Sequence, residues 1–338
     1  MNRNEKTPQL KFGYFAAHEQ YDPVTLLQYA IHAAKEGFDS IWSSDHFQPW
    51  FHTGGQSGFA WVWLAAFGER AKETKFGTGV TSPLRYNPAM IAQAFATLAV
   101  IYGDRVFLTL GTGEALSDAS ATATWPKFPV RAEMVEESIH IIRRLWADSE
   151  VVDFNGKHFK VKHARLYTRP SRLIPLYVAS NGPTLARAAG KLADGYLTLP
   201  IGHSKIRDVL LPEVDRGAKE AGRNPEEIEK IIEVEVSFDA DYENALGSCR
   251  RWAGCLMKGS ENMLDPKQIE DEGRKLSRER LAQTFVIATN PDEIIKATEP
   301  YLRMGFTHVQ YLSSSPNENH FIEIMSNRVL PYLRDNWS

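Results

Sequence analysis

One short segment of the chain combines an acid, an imidazole and an indole side chain. Asp45-His46 follows an apolar run directly, and Trp50 lies four residues beyond His46. A histidine titrates near neutral pH and can exchange protons with a substrate, while an aromatic neighbour keeps water away. Two glutamates follow other apolar runs, namely Glu19 and Glu114. If these runs are neighbouring strands, the residues predict a proton-transfer site; a histidine that caps a loop carbonyl is the simpler alternative.

The run Gly111-Thr112-Gly113 precedes Glu114. Glycine lets a ligand approach the backbone closely, and a carboxylate beside such a ligand can be buried against it. The simpler alternative for Glu114 is a carboxylate favoured at a helix start by the helix dipole. The sequence leaves both interpretations open, and the case for Glu19 is weaker.

Ser180-Asn181-Gly182-Pro183 precedes a helical pattern over 184–192. The first N–H groups of a helix have no partner within it, so such a helix start can bind an anion, and a phosphate is the expected one. An ordinary turn between a strand and a helix has the same composition. The segment is therefore a candidate phosphate site only in combination with other features.

Short apolar runs alternate with amphipathic runs of helical length, which is typical of repeated βα units around a parallel sheet. Eight strands are predicted, over residues 10–16, 38–43, 75–80, 106–111, 175–180, 195–199, 230–238 and 308–313. Nine helices are predicted, over residues 23–36, 58–74, 88–102, 131–146, 184–192, 204–221, 241–252, 291–304 and 317–335. The expected fold class is therefore α/β, a (β/α)8 TIM barrel.

In such a barrel the residues just beyond the strand ends line the active site. The candidate segments all follow predicted strands and would converge on one cavity: residues 17–20, 45–46, 79–81, 112–114 and 180–182. Position along the chain thus favours a functional interpretation of these polar residues.

A single barrel domain is predicted over residues 1–338, with insertions at about 115–130, 150–170 and 255–282. The second insertion contains a hairpin-like pattern with Asn155-Gly156 as its turn. A doubly wound open sheet is the alternative fold. It is less favoured because no Gly-x-Gly-x-x-Gly follows the first strand.

Composition limits the partners of the chain. Hydrophobic residues make up 43% and charged residues 24% of the 338 residues, with a net charge of −3. These values are typical of a globular protein, and without a basic excess neither nucleic acid nor an anionic membrane is an expected partner. No apolar run reaches the roughly 18 residues of a membrane span, so a cytoplasmic location is expected. Cys249 and Cys255 lack metal-ligand spacing, so no metal site is expected.

Five segments together resemble the F420-dependent branch of the bacterial-luciferase-like superfamily, over nearly the whole chain. They are residues 13–20 (GYFAAHEQ), 44–50 (SDHFQPW), 85–89 (RYNPA), 91–97 (IAQAFAT) and 111–115 (GTGEA). Within this branch the secondary alcohol dehydrogenases and the glucose-6-phosphate dehydrogenases are the most similar. The resemblance implies the deazaflavin coenzyme F420 as cofactor, with FMN less favoured, and a homodimer.

The resemblance also implies roles for the catalytic candidates. Asp45 would contact the deazaflavin side chain, and His46 would take the proton of the substrate hydroxyl. Glu114 would assist protonation at N1 of the ring, and Trp50 would flank the substrate and keep the site dry. Glu19 would belong to the same catalytic set.

Further residues would bind the cofactor by the same resemblance. A non-prolyl cis peptide would lie behind the ring and maps onto Gly79-Val80. Residues that would hold the phosphate and tail are Thr112, Gly113, Ala179, Ser180, Asn181 and Gly182. Hydride chemistry would belong to the cofactor, while the protein would supply orientation and proton management.

The substrate stays open between two classes. The resemblance places phosphate-binding Thr, Lys and Arg of the sugar-phosphate enzymes at positions that here read Leu199, Gly202, residues 258–260 and Thr284. Because most of these partners are missing, a small secondary alcohol is favoured. A sugar phosphate remains the alternative, since Lys205, Lys258 and Arg207 are available for another phosphate site.

A non-catalytic flavin-binding barrel is the alternative from another functional class. Binding alone does not require proton carriers, so the joint presence of His46, Glu114 and Trp50 argues against it.

Overall fold

The structure, a computed structural model, describes residues 9–147 and 149–337. Its strands are β1 (Lys11–Ala16), β2 (Ser40–Ser43), β3 (Lys75–Thr78), β4 (Val106–Leu110), β5 (Val152–Asn155), β6 (Lys160–Ala164), β7 (Leu176–Ala179), β8 (Gly195–Thr198), β9 (Glu229–Phe238), β10 (Val286–Ala288) and β11 (His308–Ser313). Eight of them match the predicted strand segments, with ends that differ by at most two residues, and form a closed parallel barrel. The order around it is β1, β2, β3, β4, β7, β8, β9 and β11.

The barrel closes where β8 pairs with β9, with Gly195 opposite Glu229, and where β11 pairs with β1, with His308 opposite Lys11. This closure confirms the predicted (β/α)8 fold and shows that the open-sheet alternative is wrong. Because all pairings around the barrel are parallel, the C-terminal ends of the eight strands share one rim.

Helices surround the barrel. Their bounds are α1 (Pro23–Lys35), α2 (Ala60–Arg70), α3 (Pro88–Tyr102), α4 (Ala115–Thr122), α5 (Phe128–Ala147), α6 (Pro183–Leu192), α7 (His203–Lys205), α8 (Leu211–Glu220), α9 (Tyr242–Ser248), α10 (Pro266–Gly273), α11 (Arg278–Ala282), α12 (Pro291–Arg303), α13 (Glu318–Ile324) and α14 (Leu330–Trp337). Short π-helical turns at Ile206–Leu210 and Met325–Val329 join α7 to α8 and α13 to α14. Local sequence fixes several starts. The Asp22 carboxylate, for example, accepts hydrogen bonds from Val24 N and Thr25 N, and Pro23 fits the first helical position.

Several predicted boundaries differ from the structure. β3, for example, ends at Thr78, and the Gly79-Val80 peptide that follows it is cis. The helix predicted over 204–221 is divided by the π-helical turn before α8. Pro212 follows that turn and has no N–H to continue a regular hydrogen-bond ladder.

The regions predicted as insertions contain their own elements. Residues 150–170 form the predicted hairpin, in which β5 and β6 pair antiparallel and Gly156 N bonds to Phe159 O at 3.0 Å. α4 lies within the first insertion, and α10 and α11 lie within the third. The short β10 pairs with the last residues of β9 beyond the end of β8.

Aromatic side chains fill the barrel interior below the C-terminal rim. Trp42 and Phe107 have ring centroids 4.3 Å apart, and Tyr177 lies beside both. Ile231 belongs to the same buried cluster. These side chains fill the middle of the barrel and form the floor of the space at its C-terminal rim. No helix in the described residues is long and apolar enough to cross a membrane.

Candidate active site

A cavity of 510 Å³ opens at the C-terminal rim of the barrel. The sequence candidates that line it are Glu19, His46, Trp50, Gly79, Val80, Thr112, Gly113, Glu114, Ala179, Ser180, Asn181 and Gly182. The structure thus brings all but one of the candidate residues together around one space. Asp45 is the exception, because it lies behind the cavity wall.

His46 lies between two glutamates. Its Nδ1 atom is hydrogen-bonded to Glu19 Oε1, and its Nε2 atom is 3.4 Å from Glu114 Oε2. The Glu19 side chain is only 1% exposed, and Ser44 Oγ donates to its other oxygen at 2.9 Å. Glu19 therefore holds the imidazole through its Nδ1 atom, while the Nε2 atom lies on the side of Glu114.

The two carboxylates determine the charge of His46. Burial lowers the pKa of His46, but the negative charge of Glu19 and the hydrogen bonds to both glutamates outweigh this, so the pKa lies well above its usual value. Burial raises the pKa of Glu19, but the His46 imidazolium outweighs it, so that pKa is lowered. The two glutamates therefore favour the protonated form of His46. As an imidazolium it can donate a proton, whereas it must first lose one to act as the predicted base.

This charge state predicts a pH dependence. If neutral His46 accepts a proton from the substrate, kcat/KM should rise as pH increases through the raised pKa of His46. Glu19→Gln removes the charge that raises this pKa, so the rising limb should move to lower pH. A pH profile of kcat/KM measures the shift. Ser44→Ala, which keeps the Glu19 charge, is the matched control and should shift the limb less. If the rising limb of the kcat/KM profile stays at the wild-type pH in Glu19→Gln, the pairing of His46 with Glu19 does not cause that limb.

Asp45 forms a buried hydrogen-bonded pair with Arg85. Their side chains are 3% and 6% exposed, and Arg85 Nη2 lies 2.9 Å from Asp45 Oδ1. Thr81 Oγ1 donates to the other oxygen at 2.7 Å, and Tyr86 OH donates to Oδ1 at 3.2 Å. Both carboxylate oxygens thus have protein partners. In this structure Asp45 anchors the loop that carries His46.

Glu114 lies immediately before α4, as its simpler interpretation expected, but its side chain does not cap the helix. Asp118 Oδ2 instead accepts a hydrogen bond from Glu114 N at 2.9 Å. The Glu114 carboxylate is consequently free to reach His46. Gly113 has a φ of +67°, and a Cβ there would lie 2.0 Å from Asp118 Oδ2, so only glycine fits this turn.

The start of α6 forms another part of the cavity wall. Ser180 Oγ accepts a hydrogen bond from Gly182 N at 3.0 Å, and Asn181 Oδ1 accepts from Thr198 Oγ1 at 3.0 Å. No side chain caps the helix at Gly182, and a Cβ on Gly182 would meet no protein atom within 4 Å. Open space therefore lies beside a helix start that favours negative charge.

Residues 10–308 match the model of the luciferase-like monooxygenase family. The chain belongs to this family. Two similar curated relatives are named F420-dependent glucose-6-phosphate dehydrogenase: one from Segniliparus rotundus, 38% identical over 96% of this chain and 98% of that protein, and one from Microbacterium testaceum, 38% identical over 97% and 98%.

Two solved structures have a similar fold. An F420-dependent secondary alcohol dehydrogenase in complex with an F420-acetone adduct is 38% identical, with a TM-score of 0.93, over 97% of this chain and 100% of that one. The F420-dependent tetrahydromethanopterin reductase from Methanopyrus kandleri is 22% identical, with a TM-score of 0.80, over 96% and 99%. The second likeness concerns the fold alone.

Sequence reasoning missed several residues of the cavity. Arg131, Glu233, Glu235, Trp252 and Cys255 all line it. The two β9 glutamates had a detectable signal, because they alternate with apolar residues near the C-terminal end of a predicted barrel strand. In a TIM barrel, charged side chains that face inward at the C-terminal ends of the strands belong to the active site. Arg131, Trp252 and Cys255 belong to regions interpreted as helix or insertion, and no local pattern identifies them.

Proposed function

We propose that the chain is an F420-dependent dehydrogenase that interconverts a neutral secondary alcohol and its ketone. The observation that carries the proposal is His46 held between Glu19 and Glu114 at the wall of the cavity, with Nε2 on the side of Glu114. A site that only binds a flavin has no need of this proton-exchanging set. The solved relative with the F420-acetone adduct, 38% identical, supports the same assignment.

The cavity fits a deazaflavin with a phosphate-bearing tail. Gly79-Val80 forms one wall, and the turn at Gly111 and Gly113 lets a ligand approach the backbone. The open space beside Gly182 at the start of α6 suits the anionic tail. When bound, the deazaflavin supplies the hydride acceptor or donor at its C5.

The residues of the chain transfer the substrate proton and exclude water from the cavity. In oxidation, neutral His46 takes the hydroxyl proton, and the Glu19 carboxylate stabilises the imidazolium that forms. In reduction, the imidazolium returns that proton to the substrate oxygen. Glu114 lies close enough to Nε2 to stabilise the same charge. Trp50, whose ring is perpendicular to that of His46 with centroids 6.0 Å apart, and Trp252 exclude water from this side.

Charge within the cavity favours a neutral substrate over a sugar phosphate. Among the described residues that line it, Arg131 is the only lysine or arginine, and the glutamates are Glu19, Glu114, Glu233, Glu235 and Glu261. Arg131 also has other partners, since its guanidinium lies 3.7 Å from the Trp125 ring centroid and donates to Pro126 O at 2.7 Å. Lys205, Arg207 and Lys258 do not line the cavity.

A sugar 6-phosphate is the second candidate, because curated relatives at 38% identity carry that activity in their names. A phosphate dianion needs fixed cationic donors, and the described cavity offers Arg131 for this role. The two candidates differ by two negative charges on the substrate, so a direct comparison separates them.

The expected result with purified protein and F420 is loss of deazaflavin absorbance with isopropanol and little or none with glucose 6-phosphate. FMN in place of F420 is the control for the cofactor and should stay oxidised. Faster loss with glucose 6-phosphate than with isopropanol would favour the second candidate. If neither compound nor any other alcohol reduces F420, the dehydrogenase proposal is wrong.

A further inference from the structure

Two glutamates of β9 line the cavity in addition to the proton-transfer residues Glu19, His46 and Glu114. Residues of a strand alternate between its two faces, and Ile231 belongs to the cluster that fills the barrel interior. Glu233 and Glu235 therefore face inward on the same side, nearer the C-terminal rim, and both line the cavity. Leu312, opposite Glu235 on β11, lines it as well.

The two carboxyl groups differ in their partners. Glu233 is 7% exposed, and its Oε2 accepts a hydrogen bond from Gln310 Nε2 at 2.8 Å. For Glu235, no hydrogen bond or ion pair is found among the described residues, although burial raises its pKa to about 7. The Glu235 side chain is partly exposed and lines the cavity, so its carboxyl group is available to a bound molecule.

A buried polar group of the same cavity also lacks a partner. Trp252 is 6% exposed and lines the cavity, and its indole Nε1 has no hydrogen-bond acceptor among the described residues. Its ring packs against Phe51 at 5.4 Å between centroids. Glu235 and Trp252 thus leave one carboxyl group and one N–H donor unsatisfied in the same cavity.

We propose that Glu235 and Trp252 bind an additional hydroxyl group of the substrate, so that the enzyme acts on a neutral polyol rather than on a monofunctional alcohol. A hydroxyl group both donates and accepts hydrogen bonds, so it can satisfy the carboxyl group and the indole N–H together. An ammonium group cannot accept the indole N–H, and a phosphate finds only Arg131 as a cationic side chain among the described residues that line the cavity. This inference rests on the proposed dehydrogenase function and narrows its substrate.

A matched alcohol series tests the inference. Isopropanol, propane-1,2-diol and glycerol each contain a secondary carbinol and differ by one hydroxyl group. With the wild-type protein and F420, kcat/KM should increase from isopropanol to the diol by about tenfold, the effect of one added hydrogen bond. The cationic 1-amino-2-propanol should show no such gain.

Variants of Glu235 test the residue. In Glu235→Leu, the ratio of kcat/KM for the diol to that for isopropanol should fall about tenfold, mainly through KM. Glu235→Gln retains hydrogen-bonding atoms and should keep most of the ratio. Glu227→Leu makes the same substitution at an exposed position just before β9 and should leave the ratio at the wild-type value. The thermal unfolding midpoint of each variant checks that it folds.

The outcomes separate this inference from the function on which it rests. If isopropanol is oxidised but added hydroxyl groups bring no gain, or if Glu235→Leu leaves the ratio unchanged, the inference is wrong and the dehydrogenase function stands. A preference for 1-amino-2-propanol also overturns it, because the site would then select a cation. If no alcohol reduces F420, both proposals fail.

Discussion

Replacement of His46 by alanine is expected to lower kcat for alcohol oxidation about 10²–10⁴-fold, which is the usual contribution of a general acid or base. His46 lies between Glu19 and Glu114, and among the described residues it is the only histidine that lines the cavity. Steady-state kinetics with F420 and the best alcohol substrate measure the effect, and a binding titration with F420 accompanies it. The dissociation constant of F420 should change much less than kcat, because His46 acts on the substrate proton.

His52→Ala is the matched control for this experiment. His52 lies in the same loop but is exposed to solvent. Its replacement should leave kcat within about twofold of the wild type, as expected for a surface substitution. If His46→Ala retains kcat within a factor of a few, the proton-transfer role assigned to His46 is wrong.

Replacement of Asp45 by alanine is expected to lower the free energy of unfolding by about 3 kcal/mol. The substitution removes the nearer of the two buried carboxylates beside Arg85 and leaves only Asp118, at 3.7 Å, and breaking a buried pair costs far more than the loss of an exposed one. Chemical denaturation without cofactor measures the change. Because F420 is absent, the result isolates the structural role of Asp45 from any contact with the cofactor.

The exposed pair of Arg207 and Asp208 provides the control. Their closest atoms are 2.7 Å apart, yet both side chains are more than half exposed. Asp208→Ala should therefore change the stability by at most about 1 kcal/mol. A similarly small change in Asp45→Ala would contradict the anchoring role and return Asp45 to the set of direct cofactor contacts.

The barrel and the position of its site follow from local patterns. Alternating apolar and amphipathic runs predict the eight strands, and parallel closure brings their C-terminal ends to one rim. Glu19, His46, Trp50 and Glu114 could be found in this way, because each follows a predicted strand. The cis peptide at Gly79-Val80 was expected from the family resemblance alone, and the structure contains it.

Other features depend on tertiary contacts that the sequence pattern does not contain. Asp45 follows a strand just as His46 does, yet Thr81, Arg85 and Tyr86 occupy its carboxylate, so its neighbours decide its role. The protonation of His46 likewise depends on how closely Glu19 approaches it from the neighbouring strand β1, since this carboxylate raises the pKa of the imidazole.

The substrate end of the cavity was also hidden from local reasoning. Trp252 and Cys255 come from a 3₁₀-helical segment, Cys249–Leu256, whose position over the barrel is set by packing. Glu233 and Glu235 alternate with apolar residues along β9, which is a recognisable pattern. It identifies them as site residues only when the C-terminal part of residues 229–238 is known to face the cavity. These residues distinguish the proposed polyol site from a purely apolar pocket.

Deuterium transfer tests the central claim most directly. The protein is mixed with oxidised F420 and isopropanol that carries deuterium on its carbinol carbon, and the reduced cofactor is analysed by mass spectrometry. The proposed function predicts that the reduced cofactor gains one deuterium atom together with the formation of acetone. Reduced F420 without deuterium, or no reduction with any deuterated secondary alcohol or diol, would contradict direct hydride transfer from a neutral alcohol.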